Sequence, residues 1–91
     1  TRLQGARLLT WAAARCKDQG LKFTKEAAMA KLAASEAAMW IATKAIQVHG
    51  GYGYTKDFRA ERLMRDAKIT QIWEGTNQIH RQLIGRSFLR R

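Results

Sequence analysis

Nine alanines fall between Ala27 and Ala45, in a stretch that continues to His49 and stops at Gly50-Gly51-Tyr52-Gly53-Tyr54. Nothing else in the chain restricts its fold as much. Alanine is the strongest helix former, and proline, the strongest breaker, is absent from all 91 residues. The stretch predicts one long helix, opened by Thr24 as an N-cap with Glu26 in the first turn and ending near His49. Ala30, Ala33, Ala34, Ala37, Ile41, Ala45 and Val48 trace one narrow side of it. Side chains this small let neighbouring helices approach closely, as in an antiparallel up-down bundle with short loops. Met29, Met39 and Trp40 would fill the gaps. Residues that favour strands are too scattered for a sheet, so the expectation is all-α.

The flanking segments follow the same logic. Leu3 to about Lys17 places Leu9, Ala12, Ala13 and Cys16 on one apolar face, with Trp11 packing and Gly20 as the C-cap. It opens without a capping signal, as a helix entered part-way. Phe58 to about Lys68 reads as a short helix with Ala60, Leu63, Met64 and Ala67 inward and Arg59, Arg62 and Arg65 outward. Glu61 and Arg65 stand four apart in the favourable order. A last helix from about Asn77 to Leu89 would bury Ile79, Leu83, Ile84 and Phe88, with Arg86, Arg90 and Arg91 complementing its dipole.

A chain of 91 residues makes at most one domain, residues 1–91, with a thin core. The formal net charge of +10 attracts phosphate, nucleic acid or an acidic partner, and its plainer reading is a solvated helical surface with a surplus of Arg. Against nucleic acid, the cations are spread along the chain and no zinc-finger, RNA-recognition or basic-zipper spacing occurs. A single cysteine, Cys16, permits no intrachain disulfide and fits a reduced intracellular compartment, with Cys16 in the core. No apolar run reaches the roughly 20 residues of a membrane span, and no leader pattern opens the chain. His49, His80 and Cys16 match no metal-ligand spacing.

Chemistry concentrates in Ile69–Gln78, Ile-Thr-Gln-Ile-Trp-Glu-Gly-Thr-Asn-Gln. Ile69, Ile72 and Trp73 would bury the approach to Glu74, Gly75 frees the backbone after it, and Thr76 can N-cap the next helix. A carboxylate desolvated beside an aromatic ring becomes a stronger base near neutrality. The plainer alternative is that Glu74 complements a helix dipole. In Gly50-Gly51-Tyr52-Gly53-Tyr54, a flexible loop is the plain reading and main-chain contact with a phosphate the sharper one. With no strand before it, this is not a dinucleotide-binding fingerprint.

Three motifs, Ala-Ile-Gln-Val-His-Gly-Gly-Tyr-Gly-Tyr (45–54), Glu-Arg-Leu-Met-Arg-Asp-Ala-Lys-Ile (61–69) and Ile-Trp-Glu-Gly-Thr-Asn-Gln-Ile (72–79), resemble the C-terminal helical domain of the acyl-CoA dehydrogenases. Residues 25–36 resemble the matching helix of the short-chain, butyryl-CoA branch. The likeness covers nearly the whole chain. It implies an FAD-dependent oxidation of the Cα–Cβ bond of a short- or medium-chain acyl-CoA to a trans-2-enoyl-CoA, with Glu74 as the base that takes the α-proton. It implies substrate contacts at Trp73, where the family usually has Tyr, and at Gly75. Gln47, Val48, His49, Gly50 and Gly51 match a segment touching the adenosine and pyrophosphate part of FAD, usually in a neighbouring subunit. Thr76, Asn77 and Gln78 match a second flavin-contacting segment.

The family's N-terminal helical domain, its β-domain and one further helix have no counterpart here. The resemblance therefore implies an incomplete four-helix bundle, an exposed apolar face, and a 91-residue chain inactive by itself. For the parent enzyme it implies an electron-transfer flavoprotein or similar acceptor, a homo-oligomer, and the bacterial cytoplasm or mitochondrial matrix. The alternatives are a helical interaction or oligomerisation module that keeps the fold without the reaction and, more distantly, a nucleic-acid-binding bundle.

Overall fold

The computed structural model describes residues 1–89, which are all-α and contain no strand. Its helices are α1 (Arg2–Asp18), α2 (Thr24–His49), α3 (Gly51–Tyr54), α4 (Arg59–Ile69) and α5 (Asn77–Leu89). At about 1.5 Å per residue, α2 is a spine of about 39 Å. It touches each of the other helices, whereas α1 and α5 pack on α2 alone among the described residues. The arrangement is an up-down helical bundle with one position unfilled. Its radius of gyration is 15.5 Å, against about 12 Å for a closed domain of this length.

The alanine run builds the spine differently from its expected single stripe. Ala28 and Ser35 are buried on one side of α2, and Ala30 and Ala37 are buried about 200° around the axis. The spine is thus covered on two faces, while Val48, assigned to the inner stripe, is 86 % exposed. Thr24 does not cap α2: the helix opens one residue earlier, at Phe23, with no side-chain cap bond. α1 likewise closes at Gln19, with Gly20 just beyond it in the left-handed region.

The glycine-rich segment is a correction. Gly50 at φ 67° ends α2, and residues 51–54 then form a helical turn, α3, where a loose loop was the plain expectation. Close packing explains it. A Cβ on Gly53 would stand 2.8 Å from both the Ile46 carbonyl oxygen and the His49 Cβ. Tyr52 meets Phe58 edge to face at 5.7 Å, which ties α3 to the start of α4.

The core is thin, as expected. The buried apolar residues are Ala6, Ala28, Ala30, Ala37 and Ala60, and no large side chain among the described residues is fully buried. Trp11 (60 % exposed), Ile79 (47 %), Leu63 and Phe88 were expected to pack inward and stand largely open, while Leu83, Ile84 and Cys16 are half-buried. α2 is too slender, with alanines along it, to cover these larger residues on its neighbours. An apolar face therefore faces outward, as the resemblance implied. Arg86 lies in the last turn of α5, and Arg90 and Arg91 lie outside the described residues. Among the described residues no helix is long and apolar enough to cross a membrane.

Candidate functional site

The turn between α4 and α5 begins as a fading helix. Thr70 and Gln71 donate their N–H groups to the carbonyls of Ala67 and Lys68, and Ile72 and Trp73 both reach back to the Ile69 carbonyl. The chain then reverses through two consecutive left-handed residues, Glu74 (φ 55°) and Gly75 (φ 86°). Glu74 is the one non-glycine residue with positive φ among the described residues. Such a conformation costs of order 1–3 kcal/mol and persists only where the surroundings impose it. The Asn77 N–H bond to the Gln71 carbonyl, 3.0 Å, closes the turn. The Thr76 hydroxyl accepts the Ile79 N–H at 3.3 Å, the cap expected of it.

The corner is held from both sides. From α5, His80 Nε2 lies 3.0 Å from the Glu74 carbonyl oxygen, and since a carbonyl only accepts, Nε2 carries the proton. Its other nitrogen, Nδ1, is buried with no partner among the described residues. From α2, Lys31 Nζ donates to the Gly75 carbonyl at 2.9 Å and to Asn77 Oδ1 at 2.7 Å. Asn77 is 4 % exposed. Its amide also donates to Ser35 Oγ at 2.9 Å and Glu36 Oε1 at 3.0 Å. Arg81 completes the cluster with an ion pair to Glu36 at 3.5 Å.

The expected site residues divide into two groups. Trp73, Glu74, Gly75, Thr76, Asn77 and Gln78 lie together on this turn and the first residues of α5. Gln47, Val48, His49, Gly50 and Gly51 lie at the far end of α2, about 18 Å along the helix from Ser35, and all five are exposed. The structure does not bring the two groups together within one chain. Asn77 has its side chain committed to α2, and Gln78 is exposed.

The expected burial of the approach to Glu74 is not found: Glu74 is exposed, and so are Ile69, Ile72 and Trp73. Any dry environment for this carboxylate must come from outside the chain. Glu74 and Trp73 instead edge an open cleft of about 350 Å³ with Lys31, Ala34, Ala38 and Thr70. Ala38 is shared with a second, largely apolar cleft of about 450 Å³ between α2 and α4, which extends past Ile41, Ala45 and Leu63 to His49 and Phe58. Among the described residues no group of three His, Cys, Asp or Glu could hold a metal.

Sequence reasoning missed Lys31, Ser35, Glu36 and His80 as parts of this site. Lys31 and Ser35 are one turn apart on α2, a polar pair within an alanine run, and that was the available signal. Their partner lies more than forty residues away, which no periodicity reveals.

Comparison with known proteins agrees with this architecture. A family model described as "Acyl-CoA dehydrogenase, C-terminal domain" matches residues 1–89. The chain is similar to the mitochondrial short-chain specific acyl-CoA dehydrogenase of Rattus norvegicus, 58 % identical over 97 % of this chain and 21 % of the relative. It is also similar to the cyclohexane-1-carbonyl-CoA dehydrogenase of Geobacter metallireducens, 56 % identical over 99 % of this chain and 24 % of that protein. Among solved structures, butyryl-CoA dehydrogenase from Megasphaera elsdenii superimposes with a TM-score of 0.95 at 47 % identity, over 98 % of this chain and 23 % of that one. The chain thus spans under a quarter of the length of these relatives.

Proposed function

Because this chain belongs to the acyl-CoA dehydrogenase family, as a C-terminal helical domain of the short-chain, butyryl-CoA type, we propose that Glu74 is the base of a full-length enzyme that oxidises the Cα–Cβ bond of a short- or medium-chain acyl-CoA. The observation that carries this reading is the Glu74 corner: a carboxylate-bearing residue held in a conformation that side chains rarely adopt, exposed at the edge of a cleft. Strain of this kind gathers where side-chain direction matters.

In the proposed reaction the α-proton passes to a Glu74 carboxylate oxygen as the Cα–Cβ double bond forms and a hydride departs from Cβ. FAD, when bound, supplies the acceptor for that hydride. Glu74 contributes in two ways: its carboxylate takes the proton, and its backbone N–H is offered to the thioester oxygen as negative charge builds there. Trp73 beside it, 55 % exposed, supplies an aromatic wall for the acyl group.

The residues matched to FAD fit a cofactor held mainly by other parts of an assembly. Gly50 and Gly51 have open space where a Cβ would stand, so main chain can be approached closely there, and Gln47, Val48 and His49 are exposed beside them. Gln78 is exposed at the other end and the half-buried Thr76 hydroxyl, though it caps α5, can still donate its proton, whereas the Asn77 amide is spent internally. With its two groups apart, the site is completed by a second subunit and by the remaining three quarters of the family's length. Residues 1–91 accordingly act as one domain of a homo-oligomer, inactive alone. The full-length enzyme passes electrons to an electron-transfer flavoprotein or a similar acceptor, in the bacterial cytoplasm or the mitochondrial matrix. Glu74→Gln in the full-length enzyme should abolish acyl-CoA oxidation while FAD content stays normal, and near-full activity would refute the assignment.

The second reading, an interaction module without the reaction, draws on the open apolar residues, among them Leu3, Leu8, Trp11 and Phe88. Salt-sensitive binding of the chain to an acidic partner with no FAD requirement, together with no acyl-CoA oxidation by the full-length protein, would favour it.

A further inference from the structure

We infer that His80 and Lys31 are positioning residues that set the direction of the Glu74 side chain by clamping the two peptide carbonyls that follow it. The inference rests on the reading of Glu74 as the base.

The two bonds fall on consecutive peptide planes. His80 Nε2–H anchors the carbonyl of Glu74 at 3.0 Å, and the Lys31 ammonium anchors the carbonyl of Gly75 at 2.9 Å. Fixing both planes leaves little freedom about the intervening Gly75, and it holds Glu74 from its C-terminal side. Without them, only the Asn77 N–H bond to the Gln71 carbonyl spans the corner, and the left-handed φ of 55° at Glu74 loosens, because a residue with a Cβ favours the right-handed or extended regions. Such a release would swing the Cα–Cβ bond and carry the carboxylate off its line into the cleft.

Both clamps lie at the exposed corner, and each is braced by a further contact. The imidazole lies so close to the corner that a Cβ on Gly75 would stand 3.1 Å from His80 Nε2. Nδ1 of the same ring is buried and finds no donor among the described residues, so the ring has one partnered nitrogen, and that partner is the Glu74 carbonyl. Lys31 is steered onto the Gly75 carbonyl by its second bond, to Asn77 Oδ1, and Ser35 braces Asn77 in turn. The corner is therefore tied to α2 and α5 at once.

The arrangement serves proton transfer more than substrate affinity. A base displaced by about 1 Å can cost on the order of 100-fold in rate, whereas binding of the CoA portion needs no accuracy at this carboxylate. Clamp loss should therefore lower kcat and leave KM nearly unchanged. Gln offers the natural rescue, since its amide nitrogen lies as many bonds from Cα as His Nε2 and also carries hydrogen.

The test uses the full-length enzyme with butyryl-CoA, unlabelled and dideuterated at the α-carbon, in the variants His80→Leu, His80→Gln, Lys31→Met and Glu74→Gln. We expect His80→Leu and Lys31→Met to lower kcat at least about tenfold with KM within about threefold, and to enlarge the α-deuterium isotope effect, because proton removal becomes more fully rate-limiting. A variant that merely reduced the folded fraction would leave both KM and the isotope effect unchanged. His80→Gln should return kcat to within about threefold of the original and restore the original isotope effect. The inference is overturned if His80→Leu and Lys31→Met keep kcat and the isotope effect, or if His80→Gln is as impaired as His80→Leu. Loss of activity in Glu74→Gln alone would leave the base assignment standing without the clamp. An active Glu74→Gln enzyme would remove both.

Discussion

Replacing Asn77 with Leu tests the network beneath the turn between α4 and α5 more directly than any other single change. The two side chains share the same number of heavy atoms and the same branching at Cγ, so the substitution exchanges hydrogen bonds for apolar contact without opening a cavity. Three relationships are lost: the bond from Lys31 Nζ (2.7 Å), the bond to Ser35 Oγ (2.9 Å) and the bond to Glu36 Oε1 (3.0 Å). A hydrogen bond to a charged group contributes about 1.5–3 kcal/mol net and a neutral one about 1 kcal/mol. The lower figures apply here, because Lys31 keeps the Gly75 carbonyl, Ser35 keeps the Lys31 carbonyl at 2.7 Å, and Glu36 keeps Arg81. The gross loss is then about 4 kcal/mol, from which the apolar surface of the new, buried Leu recovers about 2 kcal/mol. A net destabilisation of about 2 kcal/mol corresponds to a roughly 30-fold rise in local opening. Native-state amide exchange on the full-length protein reads this element by element. The amides of α5 should exchange about 30-fold faster, while those of α1, which packs on α2 alone, should change less than about threefold. An equal response in α1 and α5, or less than a threefold change in α5, would show that the Asn77 network does not hold this turn.

Two further outcomes follow from local geometry. Gly53→Ala puts a Cβ 2.8 Å from backbone and side-chain atoms of α2, so α3 must shift, at a cost of about 1–3 kcal/mol, and limited proteolysis should then cleave between His49 and Phe58 more readily than in the original protein. Thr76→Ala removes the acceptor for the Ile79 N–H and should weaken α5 by about 1 kcal/mol, visible as faster exchange at the Ile79 amide, with Thr76→Ser restoring protection.

The legible parts of the molecule were those governed by residues a few positions apart. The alanine run specified α2 to its last residue, His49, and Thr76 was recognisable as the cap of α5 from its place before Asn77-Gln78-Ile79. The Glu61–Arg65 pair forms as its spacing indicated. Local signals failed where a distant surface intervened. Gly53 reads as a flexible glycine until the Ile46 carbonyl is found against it, and Phe23 displaces Thr24 as the first cap although Thr is the better capping residue. Phe88 and Ile79 satisfy every pattern for burial and lack only a neighbour to be buried against.

For the candidate site the division is sharper. The order Trp73-Glu74-Gly75-Thr76 was enough to mark where a carboxylate stands between an aromatic ring and a flexible residue, and the three ordered motifs were enough to indicate the family. These depend on residue type and spacing, which the chain carries regardless of how it packs. The left-handed turn at Glu74, the carbonyls held by His80 and Lys31, and the burial of Asn77 depend on α2 and α5 coming together across more than forty residues. A backbone conformation that is locally unfavourable exists only while such distant partners hold it. Sequence therefore located the carboxylate, and tertiary packing decided where it points.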